Sequence, residues 1–462
     1  MVKRLAILSN RTGSCMVTAA VLLCGISAGR AQGNITIPQF PADVPFPPRM
    51  HKEPKVIDSY PEKPSLQPAF TIPVGPLGFS APGSFYLLRR QSLVSLDFLD
   101  ENRLLFSFHV KQLMQRDEAD DAATKERQIR AVVVALPDGK IEPKIESEAL
   151  WVVPDRARYL WMLKDGHFLL RDSDGLEQGD AALKITSFLR LPGRLLWLAM
   201  DPTQQVIITN SLEPADATQK PGETASPATG QATMTADTQN PGAQPVLVVR
   251  TLERESGHLI RIVRVPWTNQ TADWPFNSEG YLESSKGSGR QWLLNLNYFA
   301  GGSSVLARLD SSCSPTAEYI SQGELLVTTC DPEGQKLVAI SASGAPLWEV
   351  RASSNAIWPL VVMAPDGSRL ARETLVLKRT VDRYKHLLGA NDLMGQMVRV
   401  VDAADGKVVL EAPLSPMLDG GGNVAVSPSG RRVAILNAGA IQVFELTAPA
   451  RLPAAEANHS AH

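Results

Sequence analysis

The feature that most constrains this chain is a turn that keeps returning. MDPTQQVII from Met200, CDPEGQKLVAI from Cys330, APDGSRLA from Ala364 and SPSGRRVAIL from Ser427 each place a proline, a short polar turn and a return into apolar residues. LPDGKIE from Leu136 is a looser version. Proline presets φ at the first corner of a turn and polar residues or glycine complete it, so each motif ends one strand and begins the next. The intervening runs, among them SLVSLDFL, IRAVVVAL, QVIIT, LIRIVRV, WLLNLNYF, KLVAIS and IQVFEL, are short and rich in Val, Ile, Leu and aromatics. Several alternate apolar with polar residues, the pattern of half-buried strands. Lys164-Asp165-Gly166, Asp174-Gly175 and Asp405-Gly406 supply tight reversals where glycine takes positive φ. No glycine-rich phosphate loop joins a strand to a long helix, which argues against a dinucleotide-binding α/β fold. The expected class is antiparallel all-β.

Turn and strand units recurring in this way predict stacked blades. Setting aside one insert, residues 78–447 accommodate about seven blades of about 40–50 residues, a single β-propeller of four-stranded antiparallel blades. A blade buries its faces only against its neighbours, so the ring must close. The strand expected to close it is SFYLLRR, Ser84 to Arg90, completing the blade formed by Asn423 to Leu446.

Two stretches carry a family resemblance. Glu324 to Val350, ELLVTTCDPEGQKLVAISASGAPLWEV, resembles a repeat of the pyrroloquinoline-quinone-type propellers, with strand, turn, strand and a closing Leu-Trp. Val398 to Leu446, with VRVVDAADGKVVLEA and NVAVSPSGRRVAIL, resembles WD-type and YVTN-type repeats, without the Trp-Asp dipeptide of the former. The resemblance implies the propeller fold. The quinone enzymes also imply a larger ring, a calcium ion and often adjacent cysteines; this chain has no adjacent cysteines, so their catalytic residues are not carried over and no cofactor is expected.

The N-terminus reads as an address. Lys3, Arg4 and Arg11 precede an apolar run from Cys15 to Ile26, and small residues lead to a cleavage point between Ala31 and Gln32. Residues 1–31 contain no acid and their apolar core is short for a bilayer, as expected of a secretory signal. An uncleaved anchor, or a lipid anchor at Cys24, are the alternatives. The whole chain has 46 Lys+Arg against 48 Asp+Glu, a balance that argues against a nucleic-acid-binding face. No later stretch is apolar enough to span a membrane. Of the four cysteines, Cys313 and Cys330 would remain after cleavage. In an oxidising compartment they are expected to pair, although two separate buried thiols would fit the same spacing.

Three stretches interrupt the strands. Residues 32–77 are a proline-rich linker or arm, residues 213–245 (EPADATQKPGETASPATG and onward) have too few large apolar side chains to order themselves, and Met114 to Gln128 is dense in charge. Residues 448–462 are expected to be a flexible tail.

Searching for chemistry yields little. There is no GxSxG elbow, and Ser288 in KGSGR reads as a turn. The seven histidines are dispersed without HxH or HExxH. Asp172, Asp174, Glu177 and Asp180 offer part of a calcium loop, yet Leu170 precedes them where an acid is wanted, and an Asp-Gly hairpin accounts for them. No catalytic, metal or cofactor-binding residue is assigned. Of the eight tryptophans, six lie near strands and read as packing, while Trp267 and Trp274, in PWTNQTADWPF, lie in a loop and are candidates for surface binding. The expected function is that of a secreted or periplasmic monomeric propeller acting as a non-enzymatic scaffold for a protein or peptide. A quinoprotein-like or lactonase-like enzyme with a site at the channel, and a carbohydrate-binding propeller, are the alternatives.

Overall fold

The structure, a computed structural model, describes residues 59–110, 128–140, 148–173, 175–214, 245–267, 274–331, 334–351, 353, 355–378 and 388–449. Within them 27 strands form seven antiparallel sheets arranged in a ring, a seven-bladed β-propeller. Blade 1 shows the construction. Its strands are Val94–Asp100, Arg103–His109, Gln128–Ala135 and Glu148–Val152, ordered from axis to rim. The second and third are almost wholly buried because both their faces meet neighbouring blades, whereas the rim strand is mostly exposed.

Blades 2 to 6 follow in chain order, starting at Leu160–Met162, Arg194–Met200, Gly280–Lys286, Thr316–Ser321 and Ala356–Met363. Blade 7 starts at Val424–Val426. Each of the seven junctions has its own apolar cluster. Leu105, Val133, Phe168 and Leu170 fill the junction of blades 1 and 2. Val398, Leu410, Val433 and Phe444 fill that of blades 6 and 7. The other junctions are filled in the same way.

Closure differs from the sequence expectation. The rim strand of blade 7 is Phe70–Pro73, which pairs Phe70 with Val443 and Pro73 with Ala440. It comes from residues that the sequence assigns to the proline-rich arm. A rim strand donates to the sheet on one side only, so a proline at its end is tolerated where a central strand would reject it. Ser84–Arg90 is not a strand. Ser84–Tyr86 is a 3-10 turn, and Leu88 and Arg90 take φ of 67° and 49°. The apolar residues of that run are spent instead on Leu375, Leu377 and Leu393, against which Leu87 and Leu88 pack. Ahead of that strand the arm touches blade 6, where Ser65 N–H donates to Glu411 O at 2.8 Å and Ser65 Oγ accepts from Glu411 N–H at 2.9 Å.

Blade 4 also departs from four strands. It has three among the described residues, Gly280–Lys286, Gln291–Tyr298 and Ser303–Asp310, and the chain passes directly from Asp310 to the first strand of blade 5. That link is fastened by the Cys313–Cys330 disulfide. Ser311, buried beside it, accepts from the N–H of Cys330 at 2.9 Å and donates to Cys313 O at 2.7 Å.

The recurring turns take three different places. Those at Asp201, Pro365 and Pro428 join the first and second strands of blades 3, 6 and 7, that at Asp331 joins the second and third of blade 5, and that at Pro137 follows the third strand of blade 1. In the first group the strand ends close alike: Asp201 N–H donates to Val206 O, Ala364 N–H to Arg369 O and Ser427 N–H to Arg432 O, at 2.9–3.0 Å. The signal and its cleavage point at Ala31–Gln32, the charged stretch 114–127, most of the insert 213–245 and the tail beyond Pro449 lie outside the described residues.

Two expectations follow. Ile72→Ala, at the buried centre of the closing strand, should cost about 2–4 kcal/mol in urea unfolding, while Leu66→Ala, half-exposed on the arm, should leave the midpoint unchanged; equal effects would refute closure by Phe70–Pro73. Replacing both Cys313 and Cys330 by serine should cost about 3 kcal/mol, as loss of a cross-link over a loop of about 18 residues would, measured in the same experiment under oxidising conditions.

Candidate functional site: the axial channel

The first strands of all seven blades surround a channel of 1040 Å³. Successive strand residues alternate in direction, so one set enters the blade junctions and the other faces the axis. Blade 1 illustrates this: Val94, Leu96 and Phe98 are buried, while Ser95 and Asp97 are less so. The channel is lined by six acids, Asp97, Asp201, Glu283, Glu318, Asp366 and Glu373, against three bases, Arg158, Lys164 and Arg372. Asp97, Asp201, Glu283, Asp366 and Glu373 make no salt bridge within 4.0 Å among the described residues. Trp161, Trp197, Trp274 and Tyr319 contribute aromatic surface.

Glu373 is the least ordinary of these groups. It sits on the second strand of blade 6, Arg369–Leu377, in register with Leu360, and is only 1% exposed. Gln396 Nε2 donates to its Oε2 at 3.1 Å, but Oε1 has no partner. Gln396 is itself held in place: its Oε1 accepts from Leu418 N–H at 2.6 Å and its Nε2 donates to Leu418 O at 3.0 Å. Burial pushes the Glu373 carboxyl up to about 8. The run Gly420–Gly422 passes beside it. Gly422 has φ +98°, and a Cβ there would stand 2.0 Å from Val94 O, so this close approach of blades 7 and 1 requires glycine.

Other wall groups are perturbed by the same cause. Burial raises the Asp97 carboxyl, opposed by the Ser95 hydroxyl, which donates to it at 2.6 Å, and by the nearby Arg158 charge. Asp419, next to the glycine run, is likewise raised by burial and accepts from Arg90 N–H at 2.5 Å. Two further buried side chains of the wall, Trp161 through Nε1 and Tyr319 through its hydroxyl, have no hydrogen-bond partner. Burial also raises the Tyr319 hydroxyl.

The residues picked out from sequence fall in different places. Trp274 is 38% exposed, lies in the channel wall and packs on Tyr281 with ring centroids 5.6 Å apart. Trp267 is half-buried against the junction of blades 3 and 4. Among the six strand tryptophans, Trp151 and Trp161 are buried and Trp348 ties blade 5 to blade 6 by donating to Ala403 O at 2.7 Å. Ser288 stands in a turn closed by Gly287 N–H donating to Gln291 O. Asp172 pairs with Arg190 at 2.5 Å, and Asp180 accepts from the N–H groups of Ala182 and Lys184; Asp174 is outside the described residues. His109, His167 and His258 stand apart from the channel wall, and the described residues contain no group of three His, Cys, Asp or Glu able to hold a metal.

Glu373, Asp97 and Gln396 were not singled out in the sequence. The signals were slight: an acid within the otherwise strand-like RLARETLVL, and three successive glycines before NVAV.

No family model matches the chain, and no curated protein matches it significantly. Among solved structures it is similar to the acylaminoacyl peptidase of Pyrococcus horikoshii, at 9% identity and TM-score 0.40, over 77% of this chain and 50% of that one. It thus spans about half the length of that peptidase. It is also similar to Hsv2 of Kluyveromyces lactis, at 13% identity and TM-score 0.34, over 62% of this chain and 75% of that one. Sqt1 of Chaetomium thermophilum, solved bound to the N-terminus of ribosomal protein L10, matches at 13% identity and TM-score 0.35, over 77% and 84% of the two chains. None carries a functional residue over to this chain.

The Glu373 carboxyl keeps its proton in the folded chain up to about pH 8 and loses it near its ordinary value of 4.5 when unfolded. Between these values the folded state binds more protons, so this group makes stability fall as pH rises. Glu373→Gln removes that contribution alone. Its urea midpoint should therefore gain on that of the parent chain steadily from pH 4.5 to pH 8; a constant difference would show that the carboxyl is not raised.

Proposed function

We propose that this chain is an exported propeller that binds a protein or peptide segment at its axial channel, acting as a non-enzymatic scaffold. The observation that carries this reading is the distribution of polar groups on the channel wall. The acids come from blades 1, 3, 4, 5 and 6, spread around the ring instead of converging on one reacting atom. Catalysis by a nucleophile and base requires the two within hydrogen-bond reach and oriented by a third group. The Ser95–Asp97 pair has no histidine beside it in the wall. A broad, polar, aromatic-bearing surface suits an extended partner better than a small substrate.

Export is supported by the basic start, the short apolar core and small residues before Gln32, and by the Cys313–Cys330 bond, which belongs in an oxidising compartment. The resemblance of residues 324–350 to quinone-type repeats supports the blade construction only.

A photo-crosslinking amino acid distinguishes channel binding from other modes. Placed at Met363, which is 36% exposed in the channel wall, it should give discrete adducts in the host's exported fraction. Placed at Leu150, 60% exposed on the rim of blade 1, it should not. Equal adducts from both positions, or none from Met363, would overturn the channel as the binding face. The mass of the exported chain should start at Gln32.

A further inference from the structure

We propose that the segment taken up by the channel is basic, and that one of its Lys or Arg side chains meets Glu373. This rests on the channel being the binding face and specifies what enters it.

Six acids and three bases line the channel; the Glu373 carboxyl is neutral below about pH 8, and of the other five acids Asp97, Asp201, Glu283 and Asp366 have no salt bridge within 4.0 Å among the described residues. Low-dielectric walls focus such a field, so the channel attracts cations and repels acidic segments.

One buried carboxyl oxygen of the wall, Glu373 Oε1, has no hydrogen-bond partner. A buried polar atom without a hydrogen bond costs free energy that a suitable donor recovers. Glu373 Oε2 already accepts from Gln396, and Oε1 is left over. A Lys or Arg side chain reaching Oε1 would send the proton that the buried carboxyl otherwise holds below about pH 8 to solvent, and the carboxylate so formed would accept a charge-assisted hydrogen bond, about twice as strong as a neutral one. A bare divalent cation is a poor fit. It needs several oxygens, and this carboxyl is surrounded by donors, with no metal-holding group of three among the described residues.

Trp161, Trp197, Trp274 and Tyr319 share the wall with the acids, and Arg158 already lies over the Trp161 ring, 5.4 Å from its centroid. Aromatic faces beside carboxylates favour Arg and Lys over neutral side chains.

The test pans a phage-displayed library of random 12-residue peptides against the full exported chain, then synthesises the selected peptides and measures their affinity by titration calorimetry. The proposal expects selected peptides to share a Lys or Arg. Replacing that residue by Gln should weaken binding about tenfold, and Glu373→Gln should weaken the parent peptide to a similar degree. The two changes together should cost little more than either alone, the signature of one shared contact. Asp97→Asn leaves Glu373 in place and reads the wall's field separately; about threefold weaker binding is expected. It keeps the proposal testable should Glu373→Gln fail to unfold cooperatively. Selected peptides without a shared basic residue, or with affinity unmoved by both Glu373→Gln and Asp97→Asn, overturn the basic partner while leaving the scaffold reading intact. If no peptide is selected above background and Met363 gives no crosslink, both readings fall together.

Discussion

The apolar seam between adjacent blades is the interaction on which everything else depends. A single blade has two faces that water would touch, and its second and third strands are apolar on both, as Arg103–His109 and Gln128–Ala135 illustrate. Such a sheet can only be stable between neighbours. Seven seams are needed for seven blades, and the last one exists only if the ring closes. Ile72 from the N-terminal side, Val443 and Ile441 from the C-terminal side, and Val94, Phe106 and Phe108 of blade 1 share one cluster at that seam. Closure therefore joins residues nearly four hundred positions apart, and the resulting stability is cooperative around the ring.

The same seam builds the site. Blades 7 and 1 approach so closely at Gly422 that Leu96 N–H donates to Gly422 O at 2.9 Å. On the other side of the glycine run lies Glu373, from blade 6. Further along the seam, Arg432 Nη1 donates to Glu101 O and Glu101 Oε1 accepts from Ser429 N–H. The buried acid, with one oxygen held by Gln396 and the other without a partner, thus stands beside one of the most constrained places in the ring, where the backbone cannot easily relax to bring Oε1 a donor. A raised carboxyl in that position is a consequence of packing on every side.

How much of this could be read from the residues depended on range. Turns and strands are local, so Asp201, Pro365 and Pro428 announced their hairpins, and the rhythm of the runs announced a ring of about seven blades. Closure is non-local, and there the reading went astray. SFYLLRR looks more strand-like than FTIP, but pairing is decided by what the last blade lacks and where the chain is when it can supply it. Prolines at 68 and 73 argued for a linker, although a rim strand needs half the donors of a central one. That blade 4 has three strands among the described residues was hidden similarly: a direct link from Asp310 to Thr316 differs from an ordinary inter-blade loop only in what precedes it. The channel was the least legible part. Asp97, Glu283 and Glu373 are each single acids in strand-like runs, and only closure brings them to one axis.

Their meeting there has a physical cost that limits what the channel can accept. Burial raises the carboxyls of Asp97 and Glu373 in the wall and of Asp419 beside it, and each accepts from a neutral donor: the Ser95 hydroxyl, Gln396 Nε2 and the Arg90 N–H. Neutral donors of this kind soften the field without cancelling it. An incoming anion would meet a wall with more acids than bases, and a neutral side chain without a donor would leave Glu373 Oε1 unsatisfied. A cation reduces both penalties at once, and its effect extends to neighbouring acids through the same low-dielectric walls that made them costly. Selectivity of this channel would then arise from a strain already built into the ring, which makes charge sign, more than shape, the property a partner must match.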